Sequence, residues 1–138
     1  MPKHPKPVLM TQRDPAFYPT IGPFLASRAV HKALGGVPWD DATKTWIVLR
    51  TADGTVLGFC GVNQLARRTD LESLYTVPGH EEAAGQLVRT AVKEFGHDRD
   101  LHATVRHEIA HHHEAAGFHE VKTTANFSTL VRPATIRT

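Results

Sequence analysis

Apolar residues recur every three or four positions at Ala84, Leu87, Val88, Ala91, Val92 and Phe95. That spacing predicts a helix with one buried stripe, closed by Gly96 as its C-terminal cap. Upstream the pattern changes to runs of branched and aromatic residues. Thr45–Thr51 (TWIVLRT) and Thr55–Val62 (TVLGFCGV) flank Ala52-Asp53-Gly54, which predicts a hairpin with Gly54 at positive φ. Gly58 and Gly61 mark a bulge or a close backbone approach in the second strand. In the next strand, Leu71, Ser73, Tyr75 and Val77 are expected on one face and Glu72, Leu74 and Thr76 on the other, with Pro78-Gly79 ending it. Leu101–Val105 predicts another strand, Glu108–Ala116 a short helix stopped by Gly117, and Phe118–Lys122 with Phe127–Val131 a closing pair of strands.

The N-terminal third is less periodic. Val8–Gln12 reads as a short strand. Asp14-Pro15 predicts a helix start, with Asp14 as cap and Pro15 at the first helical position. Helical segments then run from Phe17 to Leu34 with an interruption near Gly22-Pro23, and Gly35-Gly36 and Pro38 stop them. Gln64–Thr69 reads as a polar linker. Residues 1–7, with three prolines, read as a loose arm and residues 132–138 as a polar tail.

The chain has 138 residues, 41% hydrophobic and 22% charged. This fits a single domain, 1–138, with one core. The element order predicts an α/β (α+β) fold: a mixed, mostly antiparallel sheet of six or seven strands flanked by helices. No apolar run is long enough to span a bilayer, and the N-terminus lacks a signal-peptide pattern. The lone Cys60 excludes an internal disulfide framework and suits a reducing, cytoplasmic setting. Net charge is +2, and the Lys and Arg residues are scattered, with Arg67-Arg68 the densest pair. That gives no basic stripe for nucleic acid. Of the ten histidines, five lie between His107 and His119.

Leu74-Tyr75-Thr76-Val77-Pro78, and Val105 followed by Ala110, Glu114 and Gly117-Phe118, resemble two segments of the GNAT (N-acetyltransferase) superfamily. The similarity in element order covers roughly Val8 to Val131. It implies an acetyl-coenzyme A co-substrate held in a V-shaped split between the strands ending near Val77 and Val105. The backbone of Leu74, Tyr75 and Val77 would pair with the pantetheine amides. The Gly79–Gly85 loop (Gly79, His80, Ala83, Ala84, Gly85) would seat the diphosphate at a helix N-terminus. An amine of a small molecule or protein would attack the thioester, and a homodimer is compatible with the resemblance. The chain departs from the family pattern in this loop. Glu82 stands where the family has its first loop glycine, Gly79 where it has a basic residue, and the loop is shorter by about two residues. Glu81 and Glu82 would repel a diphosphate by roughly 1 kcal/mol each when solvated. They also suit a helix's first turn for purely structural reasons.

The family's frequent thiolate-protonating tyrosine falls on His113, which makes His113 the candidate acid. Its frequent asparagine falls on Arg106, which either reaches the cofactor or is a solvated strand end. Glu72 is the candidate general base, against an ordinary strand carboxylate paired with a neighbouring arginine. Tyr75 is a second candidate near the thioester, and Trp39 a candidate for the acceptor pocket. Two other readings remain. A GNAT-like fold without ordinary coenzyme A binding would serve as a binding or regulatory module. His107-Glu108-Ile109-Ala110-His111 spells the His-Glu-x-x-His pattern of zinc hydrolases, but its first histidine sits at a strand-helix junction, so no metal ligand is assigned.

Overall fold

A computed structural model describes residues 5–36, 38, 40 and 43–135. Trp39 and the outermost residues of the expected arm and tail lie outside these. The elements are β1 (Lys6–Met10), α1 (Phe17–Leu25), α2 (Arg28–Leu34), β2 (Lys44–Arg50), β3 (Val56–Gln64) and β4 (Arg68–Thr76). They continue with α3 (Ala83–Phe95), β5 (Asp100–Arg106), a 3-10 turn at His107–Ile109, α4 (Ala110–Ala115), β6 (His119–Thr123) and β7 (Phe127–Arg132). One seven-stranded sheet runs in the order β1-β2-β3-β4-β5-β7-β6. Among the described residues β4 and β5 are its parallel pair, and the other neighbours are antiparallel.

The β2–β3 hairpin forms as its composition requires. Thr51 donates its amide to the Thr55 carbonyl at 2.9 Å, and Gly54 takes φ +90°. The α3 stripe is buried at Ala84, Leu87, Val88 and Ala91 and packs with Leu71, Leu101 and Leu130 on one face of the sheet. On the other face Phe17, Ile21 and Val30 of α1 and α2 cover Trp46, Val48 and Phe59.

Several boundaries differ from expectation. Lys6 and Pro7 belong to β1, an edge strand where proline's missing donor is tolerated. Asp14 caps no helix; its carboxylate accepts the Thr11 amide at 2.7 Å, and α1 begins at Phe17. Helix α1 continues through Pro23, and the break comes at Ser27, whose hydroxyl accepts the Val30 amide. Gln64–Thr69 is not a linker but a tight turn between strand ends: Gln64 closes β3, Arg68 and Thr69 open β4, and the amide of Leu65 donates to the Arg68 carbonyl. The segment 133–135 is tied back by Ala134 to Asp100 and by Thr135 to Gly96. Gly96 ends α3 at φ −89°, and its lack of a Cβ matters because one would meet the Val92 carbonyl at 2.5 Å.

Candidate active site

The site begins with a bulge. Phe59 pairs with Tyr75 and Gly61 with Glu72, so Cys60 faces both Ser73 and Leu74. Ser73 adopts φ +55°, a left-handed conformation uncommon for a residue with a Cβ. The extra residue shifts the alternation of β4. Leu71 and Leu74 both enter the α3-side core, whereas Tyr75 packs with the α1–α2 side. This corrects the expected facing, which placed Leu71 with Tyr75 and Glu72 with Leu74.

Just beyond the last β4–β5 pair, Leu71 with Ala103, the two strands part. β5 remains paired to β7 up to Arg106 opposite Phe127, so its open edge faces β4 alone. Val77 donates its amide to the Leu57 carbonyl at 2.8 Å, which keeps the end of β4 on β3. Alternation along that ladder turns the backbone groups of Thr76 and Leu74 away from β3, into the gap.

The gap holds a cavity of about 320 Å³. Its walls are Ser73–Thr76 and Thr104–Arg106; Ala84 and Ile109 line it from the α3–α4 side, and the end of α2 with Phe127 from the other. The cavity is therefore lined from both faces of the sheet. A second hollow of about 260 Å³ shares Ser73 and Thr104 with the first and extends past Glu72, Asp70 and His102.

Glu72 borders this second hollow, and its carboxylate lies 2.9 Å from the Lys44 ammonium. Lys44 is 1% exposed and sits 4.5 Å from the Trp46 ring centroid. Gly61 permits this arrangement, because a Cβ there would collide with the lysine side chain. The partner of Glu72 is thus a buried lysine on β2 rather than a neighbouring arginine. The sequence offered one signal for it: Lys44 shares the face of Trp46 and Val48.

Arg106 lines the cavity but is tied to the protein. Its Nε donates to the Ala33 carbonyl at 3.0 Å and its Nη2 to the Lys32 carbonyl at 3.1 Å, capping the C-terminus of α2. The guanidinium also lies over the Phe127 ring. Gly35, at φ +80°, makes the approach possible, since a Cβ would stand 2.8 Å from Phe127 Cζ.

His113 does not line the cavity. It is fully buried beneath Phe118, whose ring it meets edge-on at 5.3 Å. Burial pushes its pKa down to about 4, against a smaller upward pull from the Ile109 carbonyl. Neither ring nitrogen finds a partner in good geometry among the described residues. The expected acid is therefore buried away from the cavity in this structure.

The expected diphosphate seat is also altered. Ala84 lines the cavity, but Gly79, His80, Ala83 and Gly85 do not. The amides of His80, Ala83, Ala84 and Gly85 donate to the carbonyls of Val77, His80, Glu81 and Glu82. The Gly79 amide donates to the Glu81 carboxylate at 3.3 Å. These contacts engage five of the amides in the 79–85 segment, where a helix start would otherwise offer donors to an anion.

In the His-Glu-x-x-His segment, His107 holds Ser128 Oγ and the Thr124 carbonyl, each at 2.8 Å, with one ring nitrogen apiece. Among the described residues no three His, Cys, Asp or Glu side chains gather in a way that could hold a metal ion.

This fold is shared with solved N-acetyltransferases, one of them a GNAT-family acetyltransferase from Staphylococcus aureus. Solved structures carry the same likeness. The chain matches Escherichia coli ElaA with a TM-score of 0.67 at 11% identity, over 93% of this chain and 99% of that one. It matches a Pseudomonas aeruginosa acyl-CoA N-acyltransferase at 0.62 and 10% identity, over 93% and 99%. It also matches the Vibrio cholerae spermidine N-acetyltransferase, solved in complex with CoA and spermine, at 0.60 and 11% identity, over 91% and 92%. No family model matches the sequence, and no curated protein matches it significantly. Among the described residues no helix is long and apolar enough to cross a membrane.

Proposed function

We propose that this protein transfers an acyl group, acetyl in the simplest case, from a coenzyme A thioester to an amine. The observation that carries this reading is the slot between β4 and β5, with unpaired strand edges on both sides and a cavity between them. An extended pantetheine arm is the right shape to enter it and to pair with the free backbone groups of Leu74 and Thr76 as a short extra strand. The Vibrio cholerae neighbour, captured with CoA, supports the same class of co-substrate.

The thioester carbonyl is placed beside the bulge at Ser73–Leu74. An amide released from strand pairing there donates to the oxyanion as it forms. The acceptor amine approaches along the second hollow, past Glu72. Lys44 holds the Glu72 carboxylate in position to take the proton that the attacking nitrogen loses, directly or through one water. The tetrahedral intermediate collapses by breaking the carbon–sulfur bond, and the thiolate leaves. Tyr75 takes the place of His113 as proton donor to that thiolate. Tyr75 lines the cavity, and its ring packs beside Phe24 and Phe59 on the α1–α2 side.

Acetyl-coenzyme A turnover against a panel of primary amines, followed by thiol release, tests this reading. Turnover with at least one amine, lowered at least about a hundredfold in Glu72→Gln, is the expected result. Absence of any coenzyme A binding overturns it in favour of a cofactor-free binding module, the reading that the Glu81–Gly79 contact favours.

A further inference from the structure

The second hollow, about 260 Å³ in volume, opens from the thioester cavity at Ser73 and Thr104. Strand register decides what it offers an acceptor. Asp70 is paired with His102 across the parallel β4–β5 ladder, and Thr104 with Thr129 across β5–β7. Paired residues share a face and alternate residues return to it, so Asp70, Glu72, His102, Thr104 and Thr129 present one surface. Leu71 and Ala103, the apolar residues at its border, belong to the opposite face and are buried in the α3-side core. The side chains that reach the hollow are therefore polar.

The carboxylates of this surface are already matched. Arg68 Nε lies 2.9 Å from Asp70 Oδ1, and the Lys44 ammonium stands at the same distance from Glu72. A second ammonium on the acceptor would compete with these cations, and a carboxylate would face the two acids, so a charged tail gains little. What remains is hydrogen-bonding capacity. The Arg68 contact is badly angled, and Asp70 Oδ1 is left without a hydrogen bond among the described residues. The Thr104 and Thr129 hydroxyls meet at 3.0 Å; one hydrogen serves that bond, which leaves the other to give. Asp70 and Glu72 are two residues apart on one strand, about 6.6 Å by strand rise, a span that one substituted ring bridges. The volume lies below the roughly 300–1,000 Å³ of pockets for drug-sized ligands, which fits a single ring.

Building on the acyltransferase reading, we infer that the acceptor is an amine carried on a polyhydroxylated ring, of amino-sugar type, seated on this face of β4, β5 and β7. Its amine stands at Glu72 beside the thioester. Its hydroxyls donate to Asp70 and accept from the Thr104–Thr129 pair. A hydroxyl both gives and takes hydrogen bonds, which matches a wall of hydroxyls and internally paired charges. Asp70 and Thr129 thereby set specificity without touching the reacting atoms.

Steady-state acetyl-coenzyme A turnover by the full chain with glucosamine, galactosamine, mannosamine, cyclohexylamine and putrescine tests this. Cyclohexylamine keeps the ring without hydroxyls, and putrescine carries a second ammonium instead. The best amino sugar is expected to exceed both in kcat/KM by at least about tenfold, the value of one or two hydrogen bonds. In Asp70→Ala and in Thr129→Val that preference is expected to fall about tenfold, through KM rather than kcat. Melting temperatures report whether each variant is folded; Arg68 is half exposed, so water replaces Asp70 beside it. Cyclohexylamine, putrescine or any other amine of the wider panel matching the amino sugars overturns this inference and leaves the transferase reading intact, as does a preference that survives both variants. No turnover with any amine overturns the transferase reading. Titration calorimetry with the three amino sugars then decides for the hollow alone: binding that is lost in Asp70→Ala supports the seat, and binding that persists there, or no binding at all, overturns it.

Discussion

The Lys44 ammonium stands 2.9 Å from the Glu72 carboxylate, with the lysine almost wholly buried and the glutamate side chain 37% exposed. One end of the pair is anchored in the aromatic layer over Trp46, while the other faces the hollow that continues the slot. Removing the carboxylate takes this negative charge away from the buried ammonium. Glu72→Gln is therefore expected to destabilise the fold by about 1–3 kcal/mol, less than for a fully buried pair because solvent reaches Glu72. It is also expected to lower kcat about 10²–10⁴-fold. Urea unfolding and steady-state kinetics separate the two effects, and Glu72→Asp should recover stability better than turnover.

Ser73 carries the bulge at φ +55°. A glycine accepts that conformation without a Cβ penalty, so Ser73→Gly is expected to be neutral to about 1 kcal/mol more stable. Ser73→Val is expected to cost about 1–3 kcal/mol, since a β-branched residue resists left-handed backbone. Equal stability of the two variants in urea would show that the bulge has another conformation.

His113 gives the fold an acid-sensitive point. Its pKa is about 4 when folded, against an ordinary value of 6.5. Between those values the unfolded chain binds the proton and the folded chain does not. Its contribution is complete above pH 6.5 and is lost as the pH falls toward 4. The loss is at most roughly 3 kcal/mol. His113→Met is expected to flatten stability against pH across that window, read from melting temperatures at pH 7, 6, 5 and 4. An unchanged slope would mean that the histidine is protonated in place.

Gly35 lets the end of α2 close over the cavity onto Phe127, held by Arg106. Gly35→Ala meets both a positive φ and the Phe127 ring, so a loss of at least about 1 kcal/mol is expected. With the cavity roof displaced, the acceptor KM should rise more than kcat falls. Arg106→Met removes the α2 cap while keeping the stem, and should reproduce the KM effect.

Much of this architecture is legible from local chemistry. The α3 stripe, the Gly54 hairpin and the segments around β5 and α4 follow from periodicity and turn residues, and the structure has them within a few residues. Glu72 was visible as a carboxylate on the strand that lines the slot. The facing of Leu74 and Tyr75 was not: Gly58 and Gly61 mark an irregularity in β3, but nothing local says that the extra residue falls on β4 at Ser73–Leu74, where it reverses every side chain after it. Lys44 was missed because it lies far from Glu72 in the chain and only strand pairing brings them together. His113 illustrates the opposite failure. Motif spacing placed it at the thiolate, whereas the register of α4 turns it inward beneath Phe118.

The central claim is that the parted edges of β4 and β5 receive an extended thioester carrier. A crystal structure at saturating acetyl-coenzyme A tests it most directly. The expected result is a pantetheine arm between Ser73–Thr76 and Thr104–Arg106, hydrogen-bonded to the backbone of Leu74 and Thr76. A carrier bound elsewhere, or strands that pair beyond Leu71 and Ala103 and close the gap, would contradict it.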